Sequence, residues 1–454
     1  MAESMDQFLR AQEKALKRGD LEMVLSGIKQ LFTELGASHD MHGQHIGTPL
    51  FDALCQKAGQ LSTFELLGKV GQLPEQAHHI IVVTEIVCQG GHAELVRDII
   101  RTSKLPVLLV ASNINQRKEP VLQSILDEPN LLGLITPDAT TLLESLRTIQ
   151  CVLANPLAGS IFLLTHGYDS AVTAAIDPQS GKEILYLHHC DHYPALGCYL
   201  AGARHIDLHN VGFLRCRNEF NLAENRYLCM SAKNLAQTRK EWRFATPCLK
   251  TASCGGSHKL HTLPYHIDYK DMVIEILKSR NGVHFHIGKL TDSCLTAMYN
   301  ALAHAKLDEE QFIYLGEAPN LATILTELEI DLYVPTLPQS GGKAVIDVMA
   351  AGIPILAHQN ARDRIFGSTD LIYPEAPSWS TFTQLRAILA NYDKDLWHAQ
   401  SRAARDYFER FHTESMFIEQ LGQGGVNLES GLIPGLKSWL PEIDRRLHYS
   451  RFQH

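Results

Sequence analysis

Five consecutive residues of the sequence have side chains that can bind a metal ion or transfer a proton. They are His188, His189, Cys190, Asp191 and His192. The five follow a short apolar segment, ILYL, which is typical of a buried strand. The pattern therefore predicts a polar site at the end of a strand, with either metal binding or acid–base transfer as its chemistry. A hydrogen-bonded polar cluster with no catalytic role is the structural alternative.

A metal ion at this run needs several ligands on the same side of the chain. The zinc pattern H-x-H-x-D-H aligns with the run at His189, but Leu187 stands where its first histidine belongs. Successive residues of a strand point to opposite faces, so His188 and His189 do not easily serve one ion. The ligand spacing of a closed zinc site is also missing. We therefore expect no bound metal and no cofactor, and we keep a metal-dependent hydrolase centred on residues 188–192 as an alternative.

A second chemical feature lies in the segment DLYVPTLPQSGGKAVIDVMAAGIPILAH, residues 331–358. The loop between a predicted strand and a predicted helix carries Ser340, Gly341, Gly342 and Lys343. Glycines before a helix let backbone N–H groups approach an anion, and the helix dipole favours phosphate oxygens. Lys343 would add a positive charge, and Asp347 would accept hydrogen bonds from ribose hydroxyls. The P-loop pattern is absent, and a glycine-rich turn with a solvated lysine is the alternative.

The composition is that of a folded protein of several domains. The chain has 454 residues, of which 45% are hydrophobic and 20% are charged. Its 41 basic and 50 acidic residues give a net charge of −9, which argues against a dedicated nucleic-acid binder. Ten scattered cysteines without a C-x-x-C pair indicate reduced thiols. No secretory signal begins the chain and no apolar run approaches the ~18 residues of a membrane span, so we expect a cytoplasmic protein.

Hydrophobic patterns divide the chain into four regions. Residues 1–75 have helical periodicity with one break, which predicts a small helical module that can recruit a partner. Residues 76–247 and residues 248–394 each contain short apolar runs that alternate with helical segments. Such runs, apolar on both faces, indicate parallel sheets that helices cover on both sides. Residues 395–454 are expected to form a helical tail.

The predicted fold class is α/β, with two doubly wound Rossmann-like domains and a helical N-terminal extension. In the first domain the predicted strands are residues 79–87, 105–112, 131–136, 161–166 and 184–189. In the second domain they are residues 249–254, 283–288, 312–316, 331–335 and 353–358. Ligands of such sheets bind outside the carboxyl ends of the strands. The loops that follow the strands are therefore where the chemistry is expected.

The segment of residues 331–358 resembles the donor-binding segment of nucleotide-sugar glycosyltransferases with the GT-B fold. Its sequence motif D-V-M-A-A-G-I-P most resembles the corresponding segment of the O-linked N-acetylglucosamine transferases and their bacterial protein-glycosylating relatives. The resemblance implies a hexosyltransferase that moves a sugar from a UDP-sugar to a protein or glycan acceptor without a metal. Many retaining members carry two glutamates where Gln339 and Asp347 stand here, so retention of configuration is not predicted.

The resemblance also implies which residues hold the donor. In the segment KTASCGGSHKL, residues 250–260, the loop after the first strand matches a loop that often supplies a basic residue to the diphosphate. Lys259 is the matching residue, with Ser257 beside it. Together with Gln339 and the loop that follows it, these residues form the predicted donor site. A surface lysine after a turn is the alternative for Lys259.

In the same layout the first domain binds the acceptor. Gly91 and His92 follow its first strand, in a segment that resembles the glycine-rich first loop of these enzymes. We predict that His92 is a general base, because its unperturbed pKa lies near neutrality. The alternative is that His92 only caps a helix. His166 and Asp169 follow another strand and are expected to face the same cleft.

The run at residues 188–192 can also be assigned to the acceptor side of this fold, because it resembles an H-x-D-H stretch of some bacterial glycosyltransferases. The resemblance implies that Asp191 and His192 form a catalytic pair on the acceptor side, in which the carboxylate orients or charges the imidazole. His189 would lie beside them. A second alternative for the whole protein is a non-catalytic GT-B-like binding protein that recruits a partner through its N-terminal helices.

Overall fold

A computed structural model divides the chain into two compact units. Unit 1 contains residues 1–208, 212–228 and 421–427, and unit 2 contains residues 209–211, 229–420 and 428–454. The residues that the structure describes are 2–38, 41–42, 46–62, 73–189, 192–233, 248–261, 264–359 and 364–428. Each unit is built on a parallel sheet, which confirms the predicted α/β class with two doubly wound domains.

Among the described residues, unit 1 contains a seven-stranded parallel sheet. Its strands are β1 His78–Val83, β2 Val107–Ala111, β3 Leu131–Ile135, β4 Ala158–Leu164, β5 Ile184–His188, β6 Arg204–Asp207 and β7 Arg226–Tyr227. The strand order is β3-β2-β1-β4-β5-β6-β7, so the chain runs outward from β1 in both directions. The first five strands coincide with the five predicted from apolar runs, within a few residues at each end.

The helices before residue 233 belong to unit 1, apart from residues 210 and 211, which belong to unit 2. They are α1 Ala2–Lys17, α2 Leu21–Ala37, α3 Pro49–Leu61, α4 Gly91–Thr102, α5 Gln123–Leu126, α6 Leu142–Leu153, α7 Ser170–Ala175 and α8 Asn210–Asn218. The predicted break in the N-terminal region separates α1 from α2, where the side chain of Asp20 accepts a hydrogen bond from the backbone of Met23 and caps α2.

The N-terminal helices belong to unit 1 and do not form a separate body. Buried side chains of α2 and α3, such as Val24 and Ala58, share one apolar cluster with Ile80 and Val82 of β1. Removing these helices would expose that cluster to water, at a cost of about 25 cal/mol for each Å² of apolar surface. The described residues of the predicted helical region, residues 1–75, contain α1, α2 and α3, but the sequence did not indicate that these helices complete the core of the first domain.

Among the described residues, unit 2 contains a four-stranded parallel sheet and a two-stranded one. The strands are β8 Lys250–Cys254, β9 Val283–Ile287, β10 Phe312–Gly316, β11 Leu332–Tyr333, β12 Ala357–His358 and β13 Ser378–Trp379. The larger sheet has the order β10-β9-β8-β11, and β12 pairs with β13. The predicted strand at 353–358 is mostly irregular: Ile355 bridges to Tyr333 of β11, and only Ala357 and His358 form a regular strand.

The helices of the second half complete unit 2 and continue to residue 422. They are α9 Ser257–Leu260, α10 Tyr269–Ser279, α11 Asp292–Ala305, α12 Leu321–Glu327, α13 Gly342–Ala350, α14 Arg364–Gly367, α15 Phe382–Ala390, α16 Lys394–Phe411 and α17 Glu414–Gly422. The predicted helical tail contains α16 and α17, and its residues after 428 lie outside the described part of the chain. None of the helices in the described ranges combines the length and apolarity needed to span a bilayer.

Candidate active site

The amino end of α13 presents backbone donors that its own side chains do not use. Gly341 is the N-cap residue, and among the described residues no side-chain hydrogen bond caps this end of the helix. Val345, Ile346 and Met349 are buried and anchor the helix along one side. The first N–H groups of a helix lack partners within the helix, and they carry the positive end of its dipole. The predicted anion site is therefore an uncapped helix start on a buried, fixed helix.

Lys259 lies directly above this helix start. Its Nζ atom donates a hydrogen bond of 3.1 Å to the carbonyl oxygen of Ser340. A Cβ atom built on Gly341 would lie 2.9 Å from the same Nζ atom, so a side chain at this position would compete with the ammonium group for space. The backbone N–H of Gln339 donates to the carbonyl oxygen of Lys259 at 3.3 Å, which joins the two predicted loops. The sequence predicted both loops, and the structure brings them together.

Ser340 contributes a hydroxyl group with no hydrogen-bond partner within the described residues. The residue is only 5% exposed and its Oγ atom is buried. Its backbone N–H donates to the carbonyl oxygen of Phe366 at 2.6 Å, which fixes the residue in place. A buried hydroxyl without a partner costs free energy, and a ligand oxygen can remove that cost.

Ser257 has a different role from Lys259, although the sequence predicted both as donor residues. Its hydroxyl accepts a hydrogen bond of 2.7 Å from the backbone N–H of Thr291. Its own backbone N–H donates to the carbonyl oxygen of Lys289 at 3.0 Å. These contacts tie the loop after β8 to the loop after β9, so Ser257 supports the loop that carries Lys259.

Lys343 and Asp347 are paired with each other within α13. The Nζ atom of Lys343 lies 2.7 Å from Oδ1 of Asp347, one helical turn away, and their side chains are 12% and 17% exposed. The sequence analysis predicted that Lys343 binds a diphosphate and that Asp347 binds a ribose. In the structure the lysine charge is balanced inside the helix, so a bound diphosphate must compete with Asp347 for Lys343. Lys259 is therefore the stronger candidate for the cation at this site.

A histidine that the sequence analysis did not select lies next to the same helix start. Nδ1 of His209 is 3.1 Å from Oδ1 of Asp370, a buried carboxylate that also accepts from the backbone of Val211. A Cβ atom built on Gly342 would lie 3.0 Å from Nε2 of His209. The carboxylate thus orients the imidazole so that its second nitrogen faces the first residue of α13. Because Asp370 is 161 residues from His209, no local pattern could reveal this pair.

Three histidines meet at the carboxyl ends of the strands of unit 1. His92 lies in the first turn of α4, and His166 and His189 follow β4 and β5. The rings of His92 and His189 are stacked, with centroids 4.4 Å apart, and the ring of His166 lies 6.0 Å from that of His92. Nε2 of His92 donates to the carbonyl oxygen of Leu164 at 2.9 Å, which leaves Nδ1 of the neutral ring as the proton acceptor.

Burial and mutual repulsion lower the pKa values of two of these histidines, His92 and His166. Burial lowers the pKa of His92 well below its ordinary value of 6.5, and the nearby His189 and His166 lower it further. Burial followed by the charge of His189 also lowers the pKa of His166. The neutral imidazole is the form that accepts a proton, so His92 is ready to act as a base at neutral pH.

The helix that carries His92 also begins without a side-chain cap. Gly90 is its N-cap residue, with a φ of 155°, and Gly91 is exposed at the first helical position. A φ in this range favours glycine, because a side chain there is strained. The structure therefore places Gly91 and the backbone donors of α4 beside the histidines, in keeping with their predicted acceptor-side position.

Asp169, unlike Gly91, is not exposed. It is fully buried, and its Oδ2 atom accepts hydrogen bonds from the hydroxyl groups of Thr84 at 2.7 Å and Ser112 at 2.5 Å. Its Oδ1 atom accepts from the backbone N–H of Val172 at 3.1 Å and caps α7. The expectation that Asp169 faces the acceptor together with His166 is therefore corrected: the carboxylate joins the ends of β1 and β2 to α7 inside the unit.

The predicted Asp191–His192 pair is only partly described. Asp191, like Cys190, lies outside the described residues. The ring of His192 contacts Tyr193, with centroids 4.4 Å apart, and His42, with centroids 6.5 Å apart. These contacts differ from those of His189, which stacks on His92, and the Asp191–His192 pair stays a prediction.

A buried carboxylate that the sequence analysis missed lies near His166. Glu85 follows β1 and is buried, and its Oε2 atom lies 3.5 Å from Nε of Arg117. Its negative charge raises the pKa of His166, against the effect of burial. A single glutamate after a strand has no distinctive spacing, so only its position beside a histidine from another strand reveals it.

Solved glycosyltransferase structures are similar to this chain in fold. The chain is similar to Anabaena HepE in complex with UDP and glucose, with a TM-score of 0.57, 10% identity and coverage of 76% of this chain and 98% of that one. It is also similar to a glycosyltransferase from Rickettsia africae, with a TM-score of 0.56, 11% identity and coverage of 77% and 98%. The fold is GT-B.

A third similar GT-B structure covers more of this chain. A mutant of the O-GlcNAc transferase from Thermobaculum terrenum has a TM-score of 0.51 and 12% identity, over 92% of this chain and 82% of that one. At such identities the likeness shows the fold alone. No protein-family model matches the sequence, and no curated protein matches it either.

Proposed function

We propose that this protein is a glycosyltransferase that transfers a hexose from a UDP-sugar to a protein or glycan acceptor. The observation that carries the proposal is the uncapped start of α13, with the Lys259 ammonium above it and the buried Ser340 hydroxyl beside it. The GT-B fold supports this assignment, since Anabaena HepE has been solved with UDP-glucose. The scattered cysteines support a reducing compartment, and we place the reaction in the cytoplasm.

In the proposed reaction unit 2 stabilises the leaving group. The bond between the anomeric carbon and the diphosphate oxygen breaks, and its electron pair leaves with the nucleoside diphosphate. The backbone N–H groups of α13, together with Lys259 and the imidazole of His209, face the place where this negative charge develops. Fixed donors of this kind need no reorganisation during the reaction and often supply its largest catalytic effect.

Unit 1 activates the acceptor in the same proposal. The acceptor oxygen or nitrogen forms a bond to the anomeric carbon, and its proton moves to Nδ1 of His92. Nε2 of the same ring stays bonded to the carbonyl of Leu164, which holds the tautomer. His166, His189 and Gly91 would line the acceptor position. No step requires a metal ion, because the lysine and the helix provide the positive charge.

Binding of nucleotide sugars tests the donor class directly. We expect UDP and one UDP-sugar to raise the Tm of the full chain, while GDP-, ADP- and CMP-sugars raise it less. A ligand at 100 times its Kd stabilises the folded state by about 2.7 kcal/mol, which is readily measured. The stabilising UDP-sugar is then incubated with a peptide and glycan acceptor panel, and UDP release is followed. A panel in which neither UDP nor any nucleotide sugar changes the Tm would refute the proposed donor site.

The Lys343–Asp347 pair gives a second prediction, for Asp347→Ala. Removing the carboxylate frees Lys343 for the anion, so inorganic diphosphate should bind more tightly by up to about fivefold, the value of roughly 1 kcal/mol for a partly exposed ion pair. UDP should gain less, or bind more weakly, because it also loses a ribose contact with Asp347. Calorimetry with both ligands measures the difference.

The matched controls for this pair are Lys343→Ala and the double variant Lys343→Ala/Asp347→Ala. The gain with diphosphate should be absent from the double variant, since it depends on the freed lysine. Equal binding of diphosphate to the wild type and to Asp347→Ala would show that Lys343 does not reach the anion.

A further inference from the structure

Four side chains that can bind metals converge inside unit 1. They are His188 at the end of β5, His205 and Asp207 on β6, and Cys216 on α8. All four are buried, and one ligand atom from each lies within 4.8 Å of the others. None of the four is a residue of the proposed reaction, although His188 is next to His189 in the chain. We propose that these four residues bind one zinc ion.

Several distances between the ligand atoms are close to those around a tetrahedral zinc ion, and all lie within 4.8 Å. Oδ1 of Asp207 lies 3.3 Å from Nδ1 of His188, 3.1 Å from Nε2 of His205 and 3.1 Å from Sγ of Cys216. Sγ of Cys216 lies 3.8 Å from Nδ1 of His188. Zinc bonds of about 2.0–2.3 Å in tetrahedral geometry separate neighbouring ligand atoms by roughly 3.3–3.8 Å. Small shifts of the side chains therefore complete the site.

The hydrogen bonds of His205 fix the nitrogen that faces the cluster. Its Nδ1 atom lies 3.1 Å from the carbonyl oxygen of Cys198, which only accepts, so Nδ1 carries a proton. In the neutral ring Nε2 then presents a lone pair toward the carboxylate of Asp207. Two lone pairs at 3.1 Å repel each other unless a cation lies between them. The cation is either a proton on Nε2 or a metal ion.

The number of groups around Asp207 favours the metal over the proton. Three groups, from His188, His205 and Cys216, approach the same oxygen atom. A carboxylate oxygen has two lone pairs, so a purely hydrogen-bonded cluster leaves one of these contacts poorly satisfied. A zinc ion satisfies all four ligand atoms at once. Imidazole, thiolate and carboxylate are the ligands that zinc takes in proteins.

Residues around the cluster hold the ligands in the way that metal sites require. Nδ2 of Asn225 donates to Oδ2 of Asp207 at 2.7 Å, which orients the carboxylate. The bond from His205 to the carbonyl of Cys198 orients that imidazole, and Sγ of Cys198 lies 3.6 Å from Nε2 of His188. Metal-binding histidines usually donate their second N–H to such a partner, which fixes the tautomer.

The proposed site is structural, because its four protein ligands leave no position for water or substrate. The ion would join the ends of β5 and β6 to α8. His189 follows His188 directly and stacks on His92, so the ion would also fix the strand end that presents His189 to the proposed base. The expectation of no metal was argued from residues 188–192, and of the members of that run that the structure describes, His188 belongs to this cluster.

Metal analysis of the full chain, expressed with added zinc and purified without a histidine tag, tests the proposal. We expect about one zinc per chain, and we expect Cys216→Ser and His205→Gln each to lose most of it. Cys151→Ser and His284→Gln replace a buried cysteine and a buried histidine outside the cluster and should keep the metal. Exchange of zinc for Co²⁺ should produce a thiolate-to-cobalt charge-transfer band that is absent from Cys216→Ser.

Three outcomes would overturn the proposal, and none of them depends on sugar transfer. The first is a wild-type chain without zinc that also binds no added Zn²⁺ or Co²⁺ after gel filtration. The second is bound zinc that both folded cluster variants retain. If both variants fail to fold, a wild-type cobalt spectrum without the thiolate band decides against the site. The first outcome, with a chain that is folded and binds UDP, would assign the cluster to a protonated His205–Asp207 pair.

Discussion

Replacing Lys259 with alanine is expected to slow sugar transfer by about 10²–10³-fold, the effect of losing one preorganised donor to a developing negative charge. Lys259 lies over the uncapped start of α13, where its Nζ atom is 2.9 Å from a Cβ built on Gly341. Transfer is measured as UDP release with saturating acceptor. The Tm should stay close to that of the wild type, because Lys259 is only partly buried and its Nζ atom donates to a backbone carbonyl, that of Ser340.

The choice of ligands separates a lost charge from a damaged fold. Lys259→Ala should bind UDP more weakly, whereas uridine, which has no phosphate, should bind as it does to the wild type. Lys259→Arg retains the charge and should recover part of the activity. Lys278→Ala removes an exposed lysine from α10 in the same unit and serves as the matched control. Wild-type transfer rates in a folded Lys259→Ala variant would place the diphosphate elsewhere.

Replacing His92 with glutamine is expected to lower the rate of transfer by about 10²–10⁴-fold, the usual contribution of a general base. The donor should bind as in the wild type, because the proposed donor site is built from other residues. His79→Gln is the matched control, since His79 also has a pKa lowered by burial but lies at the amino end of β1. If both variants transfer sugar at the wild-type rate, His92 is not the base.

The pH dependence of transfer follows from the direction of the pKa shift of His92. Neutral imidazole is the active form, so activity is full above the pKa in the folded protein and falls as the pH drops through it. Burial lowers that pKa well below 6.5. The acid limb of kcat/KM should therefore lie below pH 6.5 in the wild type and disappear in His92→Gln. An acid limb near pH 6.5 or above would point to a different group.

The sequence by itself determined the fold class and most strands. The apolar runs at 79–87 and 105–112 predicted β1 and β2 because a strand buried on both faces is apolar along most of its length. The glycines and Lys343 likewise located the start of α13, because the ends of a helix depend on neighbouring residues. These signals are local, and a single segment contains all the information that they need.

The tertiary structure alone decided how the candidate groups are combined. His209 and Asp370 are 161 residues apart, and nothing near either residue indicates the other. Asp169 was expected at a binding surface, but the hydroxyl groups of Thr84 and Ser112 from neighbouring strands enclose it. A sequence shows that a polar residue follows a strand. The order of strands in the sheet determines which other strand ends lie beside it, and so whether it meets water or the core.

The run at residues 188–192 separates the two kinds of information most clearly. Strand alternation predicted that His188 and His189 point to opposite faces, and in the structure they have different partners. His189 stacks on His92, whereas His188 lies 3.3 Å from the carboxylate of Asp207. The sequence determined the alternation because it is a property of any strand. The partners on each face come from β6 and α4. Only long-range packing places those two elements beside β5.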